Sequence, residues 1–312
     1  MRWDDFRRSA NVEDDREEGT PGGGGFGIPG GPHGLGIGTI IVLGLVGWAL
    51  GIDPSTLING AEILAGGGGM EQSDQGPGYA PAPRQAQQTS PQDKETLDFV
   101  SAVLGDTEDR WTEMFNAMGQ TYHPARLRLF TGAIRGGCGM AQSAMGPFYC
   151  PRDKQVYLDT SFFQDMQNKF GACSSDKACK FSEAYVIAHE IGHHVQDEFG
   201  FLPRVTQAQQ AASSQTQVNA LQVRVELQAD CYAGVWANRA QQKHNFLDAG
   251  DVDQALQTAT AIGDDRLQKE TQGYVVPDSF THGSSAQRKR WFLNGFNSGQ
   301  ISACDTMAAN SL

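Results

Sequence analysis

The chain has 312 residues, 39% of them hydrophobic, and a formal net charge of −12 at pH 7. That length allows one large domain or two smaller ones. An acidic balance with no basic cluster excludes a nucleic-acid binder and otherwise speaks only for solubility.

Residues 1–34 mix charged side chains with a Gly- and Pro-rich run over 19–34 and are expected to form a cytoplasmic N-terminal segment. Residues 35–52, LGIGTIIVLGLVGWALGI, carry no charge over eighteen positions, about the shortest run that crosses a bilayer as a helix. Its glycines (Gly36, Gly38, Gly44, Gly47, Gly51) weaken a soluble helix but are tolerated in a membrane one. The long lead-in and the lack of a small-residue cleavage site favour an uncleaved signal anchor over a cleaved signal peptide. Arg2, Arg7, Arg8 and Arg16 precede the run, and neither Lys nor Arg follows before Arg84. The expected topology is single-pass, with a cytoplasmic N-terminus and an exported C-terminal domain.

Residues 66–92 are low in apolar side chains and broken by Pro, and the stretch 53–93 is expected to be a flexible linker. The folded domain is then expected over 94–312, enough chain for one core. All six cysteines fall in it, an even number on an oxidising side. The expected disulfides are Cys138–Cys150, Cys173–Cys179 and Cys231–Cys304, the first two because they close short loops. A free buried Cys231 is the alternative.

In chain order, residues 94–119 carry apolar side chains at three- and four-residue spacing and predict one helix or a broken pair. Residues 125–134 alternate and predict a strand. Residues 146–163 hold two β-rich runs around CPRDK, which predicts a hairpin. Residues 182–200 predict a helix capped by Ser182 and ended by Gly200. A long helix follows over much of 206–243, then two more at about 252–270, with Asp251 as cap, and 284–297. Helices with a small sheet ahead of the histidine helix make the class α+β.

Histidines four apart on a helix differ by about 40° around its axis, so His189 and His193 reach the same point. Glu190 lies beside them. This is the HExxH pattern, two zinc ligands and a general base. Catalytic zinc takes three protein ligands and keeps one position open. In VELQADCYAG, Glu226 supplies the third ligand, and Asp230, one turn on, can orient a liganding histidine from behind. A solvated acidic face is the competing reading, and Gln222, Arg224 and Gln228 support it. Ala229, Cys231, Tyr232, Val235 and Trp236 oppose it, because they make the helix look buried. His194 points about 100° away from His193 and reads as a packing residue, or one that supports the ligands from behind, rather than a fourth ligand.

The segments AYVIAHEIGHHVQ, ELQADCYAGVWA, MGPFYCPRDKQVYLDTSFF and HGSSAQRKRWFLNGFNSG resemble the bacterial neutral zinc metallopeptidase family, the YpfJ-like proteins, as do the RSANVEDDR opening and the glycine-rich anchor. The HExxH…ExxxD order is shared with gluzincins. The resemblance implies a zincin-like fold, a Zn2+ cofactor, a peptide or protein substrate and a place at the bacterial inner membrane. It maps His189, His193 and Glu226 onto the zinc ligands and Glu190 onto the catalytic glutamate.

The chemistry expected is peptide hydrolysis, with Glu190 as general base. His282 is the first candidate to stabilise the oxyanion and Tyr274 the second; a loop histidine bonded to backbone is the plainer reading of His282. Residues 155–159, QVYLD, are expected to form the edge strand that pairs with extended substrate. Two alternatives are a tethered zinc protein without proteolytic activity and a zinc amidase acting on cell-wall fragments.

Overall fold

The computed structural model describes residues 1–16, 90–168 and 176–312. Strand β1 (Val12–Asp14) comes first. Helix α1 (Pro91–Ala117) follows as one unbroken helix, started by a capping box in which Ser90 and Asp93 satisfy each other's backbone N–H. Strands β2 (Arg126–Phe130), β3 (Ala133–Gly136), β4 (Gly139–Gln142), β5 (Phe148–Cys150) and β6 (Gln155–Asp159) come next. The predicted strand over 125–134 is thus two, split at Thr131 and Gly132.

The main sheet has the order β1-β2-β6-β5, with β5 antiparallel to β6 and the other pairs parallel. β5 and β6 are the expected hairpin. Residues 155–159, however, are not an edge: β6 lies between β2 and β5, and among the described residues the edge beside the histidine helix belongs to β5. The hairpin β3–β4 stands apart and is tied to β5 by the Cys138–Cys150 disulfide. The Cys231–Cys304 pair also forms. Cys179 is disulfide-bonded too, but the expected partner Cys173 lies outside the described residues.

After α2 (Ser161–Asn168) comes the histidine helix α3 (Asp176–Glu198). It starts earlier than expected, so Ser182 is a buried interior residue rather than its cap. The long helix predicted over 206–243 is two. Helix α4 (Phe201–Gln210) ends before AASS, and α5 (Gln215–His244) restarts with Ser214 accepting from the Gln217 N–H. Helix-forming Gln and Ala on both sides hide that break in the sequence. Gly263 likewise divides α6 (Asp251–Ala261) from α7 (Asp264–Gln272), and Asp251 is the first residue of α6, not its cap. Helix α8 (Ser285–Ser298), capped by Ser284, closes the domain. One continuous core joins Phe99, Leu127, Leu158, Phe181, Ile187, Trp236 and Phe292.

The architecture expected at the N-terminus is corrected. Among the described residues no helix is long and apolar enough to cross a membrane; residues 35–52 lie outside them. Residues 1–16, moreover, form a strap on the folded domain. Met1 and Phe6 are buried in the main core. The Leu127 N–H donates to the Asn11 carbonyl and the Asp15 N–H to the Leu129 carbonyl, both at 2.9 Å, which adds β1 to the sheet. Buried Glu108 accepts from Ser9 Oγ at 2.6 Å and from Asn11 Nδ2 at 2.7 Å. Arg16 reaches Asp93 at the start of α1. A single crossing between Arg16 and Ser90 would place one folded body on both sides of a bilayer. The domain therefore includes residues 1–16 and does not begin at Lys94.

Candidate metal centre

Helices α3 and α5 cross where Gly192 meets Ala229. A Cβ on Gly192 would stand 3.0 Å from the Ala229 carbonyl oxygen and 3.3 Å from its methyl group. The missing side chain lets the turn between His189 and His193 sit against the turn between Glu226 and Asp230. This close approach lets one carboxylate meet two imidazoles.

Glu226 Oε2 lies 3.2 Å from His189 Nε2 and 3.4 Å from His193 Nε2. Ligand atoms about 2.0–2.1 Å from a tetrahedral zinc stand about 3.3–3.4 Å from each other. Both Glu226–histidine spacings therefore match zinc, the three donor atoms lie within 4.8 Å of one another, and His189, His193 and Glu226 are the group among the described residues that could hold an ion.

The opposite atom of each donor is tied down. His189 Nδ1 donates to Asp230 Oδ1 at 2.8 Å, as the sequence predicts. Gln196 Nε2 donates to the Val225 carbonyl at 2.8 Å, so its Oε1 faces His193 Nδ1 at 2.9 Å and that nitrogen carries the proton. Both Nε2 lone pairs are left for a cation. Glu226 Oε1 accepts from Gln222 Nε2 at 2.8 Å. Gln222, which on sequence supports a solvated face, instead orients a ligand.

The field at the site draws positive charge. Burial alone would push Glu226 up, but His193 and His189 outweigh it and hold its carboxyl well below the usual range. Asp230 is depressed in the same way, with the charges of Arg288 and His189 overcoming its burial. Burial works against a charged His189 too, yet Asp230 and Glu226 raise it to about 10, so that its Nε2 holds a proton until a metal cation takes that proton's place.

Glu190 is buried, and the backbone N–H of Tyr149 in β5 is close enough to act on its charge. Burial raises its pKa, and Glu226 adds to the rise. The two histidines and the Tyr149 N–H pull it back, and the net shift is upward. His194 is fully buried, as the packing reading requires; its rings of contact are Tyr122 and Tyr149, and its Nε2 donates to the His123 carbonyl at 2.7 Å.

His282 lies in the loop before α8, its side chain 41% exposed. Asp264 Oδ2 accepts the N–H groups of Thr281, His282 and Gly283 at 2.7, 2.6 and 3.0 Å, and its Oδ1 lies 3.2 Å from His282 Nδ1. Gly283 abuts Val223 and Leu227, which flank Glu226 on α5. His282 and Glu226 feel each other's charge. Tyr274 stands 63% exposed on the neighbouring loop.

Sequence reasoning missed Gln196 and Arg288. Gln196 follows His193 by three residues on one helix, a readable signal. Arg288, which forks onto Asp230 from α8, gives none.

A family model described as "Putative neutral zinc metallopeptidase" matches residues 1–307. The chain is 46% identical over 309 residues to the Escherichia coli strain K12 protein "Uncharacterized protein YpfJ", covering 98% of each. It is 45% identical over 200 residues to the Mycobacterium bovis protein Mb2605 and to the Mycobacterium tuberculosis protein Rv2575, covering 61% of this chain and 65% of each relative. No solved structure matches it. The chain belongs to the neutral zinc metallopeptidase family.

Proposed function

We propose that the protein is a zinc-dependent endopeptidase in which His189, His193 and Glu226 hold the ion, Glu190 is the general base and His282 steadies the oxyanion. The convergence of three donor atoms within 4.8 Å of one another, with buried Glu190 on the same helix beside them, carries this reading. When bound, zinc lowers the pKa of water towards ~7 and polarises a carbonyl.

The chain's own groups do the rest. Glu190, with its pKa raised, takes the proton of the attacking water and returns it to the leaving amine. His282 commits Nδ1 to Asp264, so Nε2 is the nitrogen left to donate to developing negative charge. Extended substrate adds to the outer edge of β5, not to β6, because β6 is paired on both sides and β5 ends the sheet. The Cys138–Cys150 and Cys231–Cys304 disulfides support an oxidising compartment.

The test is Glu190→Gln in the full chain. Hydrolysis of an unfolded protein substrate should fall by at least ~10²-fold, the low end of what a general base contributes, while one zinc stays bound. Unchanged hydrolysis would remove the peptidase reading.

A further inference from the structure

Asp230 is fully buried and carries more than His189. Arg288 Nε donates to Oδ2 and Nη2 to Oδ1, both at 2.8 Å. The Tyr185 hydroxyl donates to Oδ1 as well. Arg288 is itself buried and held, with Nη2 at 3.2 Å from the Tyr185 oxygen and Nη1 at 3.4 Å from the Ile262 carbonyl. A guanidinium fork that takes both oxygens of a carboxylate fixes its plane and its rotation together. Oδ1 then has one place to stand, and that place is 2.8 Å from His189 Nδ1.

The helix that brings Arg288 cannot drift. A Cβ on Gly295 of α8 would lie 1.9 Å from the Cys231 carbonyl oxygen, and one on Gly234 of α5 would lie 2.1 Å from the Phe292 carbonyl oxygen. The two backbones touch, and the contact begins one residue after Asp230. The Cys231–Cys304 disulfide ties the chain just beyond α8 to that same residue. α8 is thus a fixed platform, and Arg288 reaches from it to the back of the metal centre.

We propose that Arg288 is a positioning residue for metal binding: through Asp230 it aims the His189 imidazole at the cation. The inference rests on the zinc reading of the site and extends it to a helix outside the HExxH and ExxxD segments. Lysine substitutes only in part, because a single ammonium keeps the charge but cannot span both carboxylate oxygens in the plane of the fork.

The experiment measures the zinc affinity of the full chain by competition with a chromophoric chelator. Four proteins complete a cycle: wild type, Arg288→Met, Asp230→Asn and the double variant, with Arg288→Lys beside them. Changes behind a metal ligand cost about 10–100-fold in affinity. Arg288→Met is expected in that range, Arg288→Lys at a smaller loss, and the double variant within about twofold of Asp230→Asn alone, since Arg288 acts through a group already removed. A merely structural arginine would lower thermal stability without that non-additivity. Wild-type affinity in both Arg288 variants, or losses that multiply in the double variant, would overturn the proposal. If Arg288→Met does not fold, Arg288→Lys and its own cycle with Asp230→Asn decide by the same criterion. A wild-type chain that binds no zinc defeats the zinc reading first, which separates that failure from this one.

Discussion

The metal cleft and the N-terminal strap both join distant parts of the chain through charged groups, and they do so on opposite terms. In the cleft, His189, Glu226, Asp230 and Arg288 are all buried, each with at least two partners, and no apolar contact could replace what they do. In the strap the Arg8 pair is wet, with Arg8 35% exposed and its partner Asp98 46%, whereas Arg16 and Glu108 are only 6% exposed. Buried charge networks specify geometry at a cost in desolvation, whereas exposed pairs add little energy. The strap is therefore held by its apolar side chains, by strand β1 and by buried Glu108, with the exposed Arg8 pair setting register. The cleft is a device for placing atoms, and the strap is a device for covering a core.

The largest effect that tests this contrast is Phe6→Ala. Phe6 packs on Phe246 at 5.3 Å and on His244 at 4.9 Å between ring centroids, far from the metal ligands in the chain. Removing a buried phenylalanine costs about 3–5 kcal/mol. Denaturant unfolding should show that loss while zinc affinity of the folded fraction stays at the wild-type value. A fall in affinity would mean that strap and cleft are coupled, and the contrast would fail. Gly192→Ala sharpens it from the other side. A methyl group placed 3.0 Å from the Ala229 carbonyl forces α3 and α5 apart by a few tenths of an ångström. Overpacking of this kind costs about 1–3 kcal/mol, and zinc affinity should fall by roughly tenfold, as for other disturbances behind a ligand. Unaltered affinity would show that the donors tolerate a wider helix spacing than the 3.2 and 3.4 Å contacts imply.

The same contrast explains what could be read in the sequence. His189, His193, Glu226 and Asp230 follow helical spacing, so local periodicity was enough to place them on two facing turns. Gln222 has the right spacing too, four residues before Glu226, but an amide on a partly polar helix reads as solvent-facing until the partner helix is known. Arg288 is 58 residues from Asp230, and only the topology of α5 and α8 brings them together. The strap was unreadable for a different reason. RSANVEDDR has the composition of a solvated segment, and its partners Glu108, Asp98 and Ser101 lie on a helix whose own pattern is satisfied without it. The uncharged run at 35–52 then suggested a boundary where the chain, on both sides, belongs to one body.

The smallest predicted effect concerns the best-looking contact in the strap. Arg8 donates from Nε and Nη2 to the two oxygens of Asp98, both at 2.7 Å, a bidentate geometry that invites a large energy. Its exposure argues for a small one: Arg8→Ala should cost under ~1 kcal/mol, as for exposed ion pairs in general. The sign of its pH dependence also follows. The Arg8 hydrogen bond holds the Asp98 carboxyl below its ordinary range, against a small opposing contribution from burial. A depressed carboxyl stabilises the folded state above the unfolded value, ~3.9 for aspartate, and that contribution is lost as pH falls through the folded value. The difference between wild type and Arg8→Ala, measured by denaturant unfolding, should be full at pH 7, shrink as the pH is taken below ~4, and shrink at pH 7 in ~1 M salt, where the Debye length is ~3 Å. A cost of several kcal/mol that survives salt would place the strap's charges in the same class as those of the cleft.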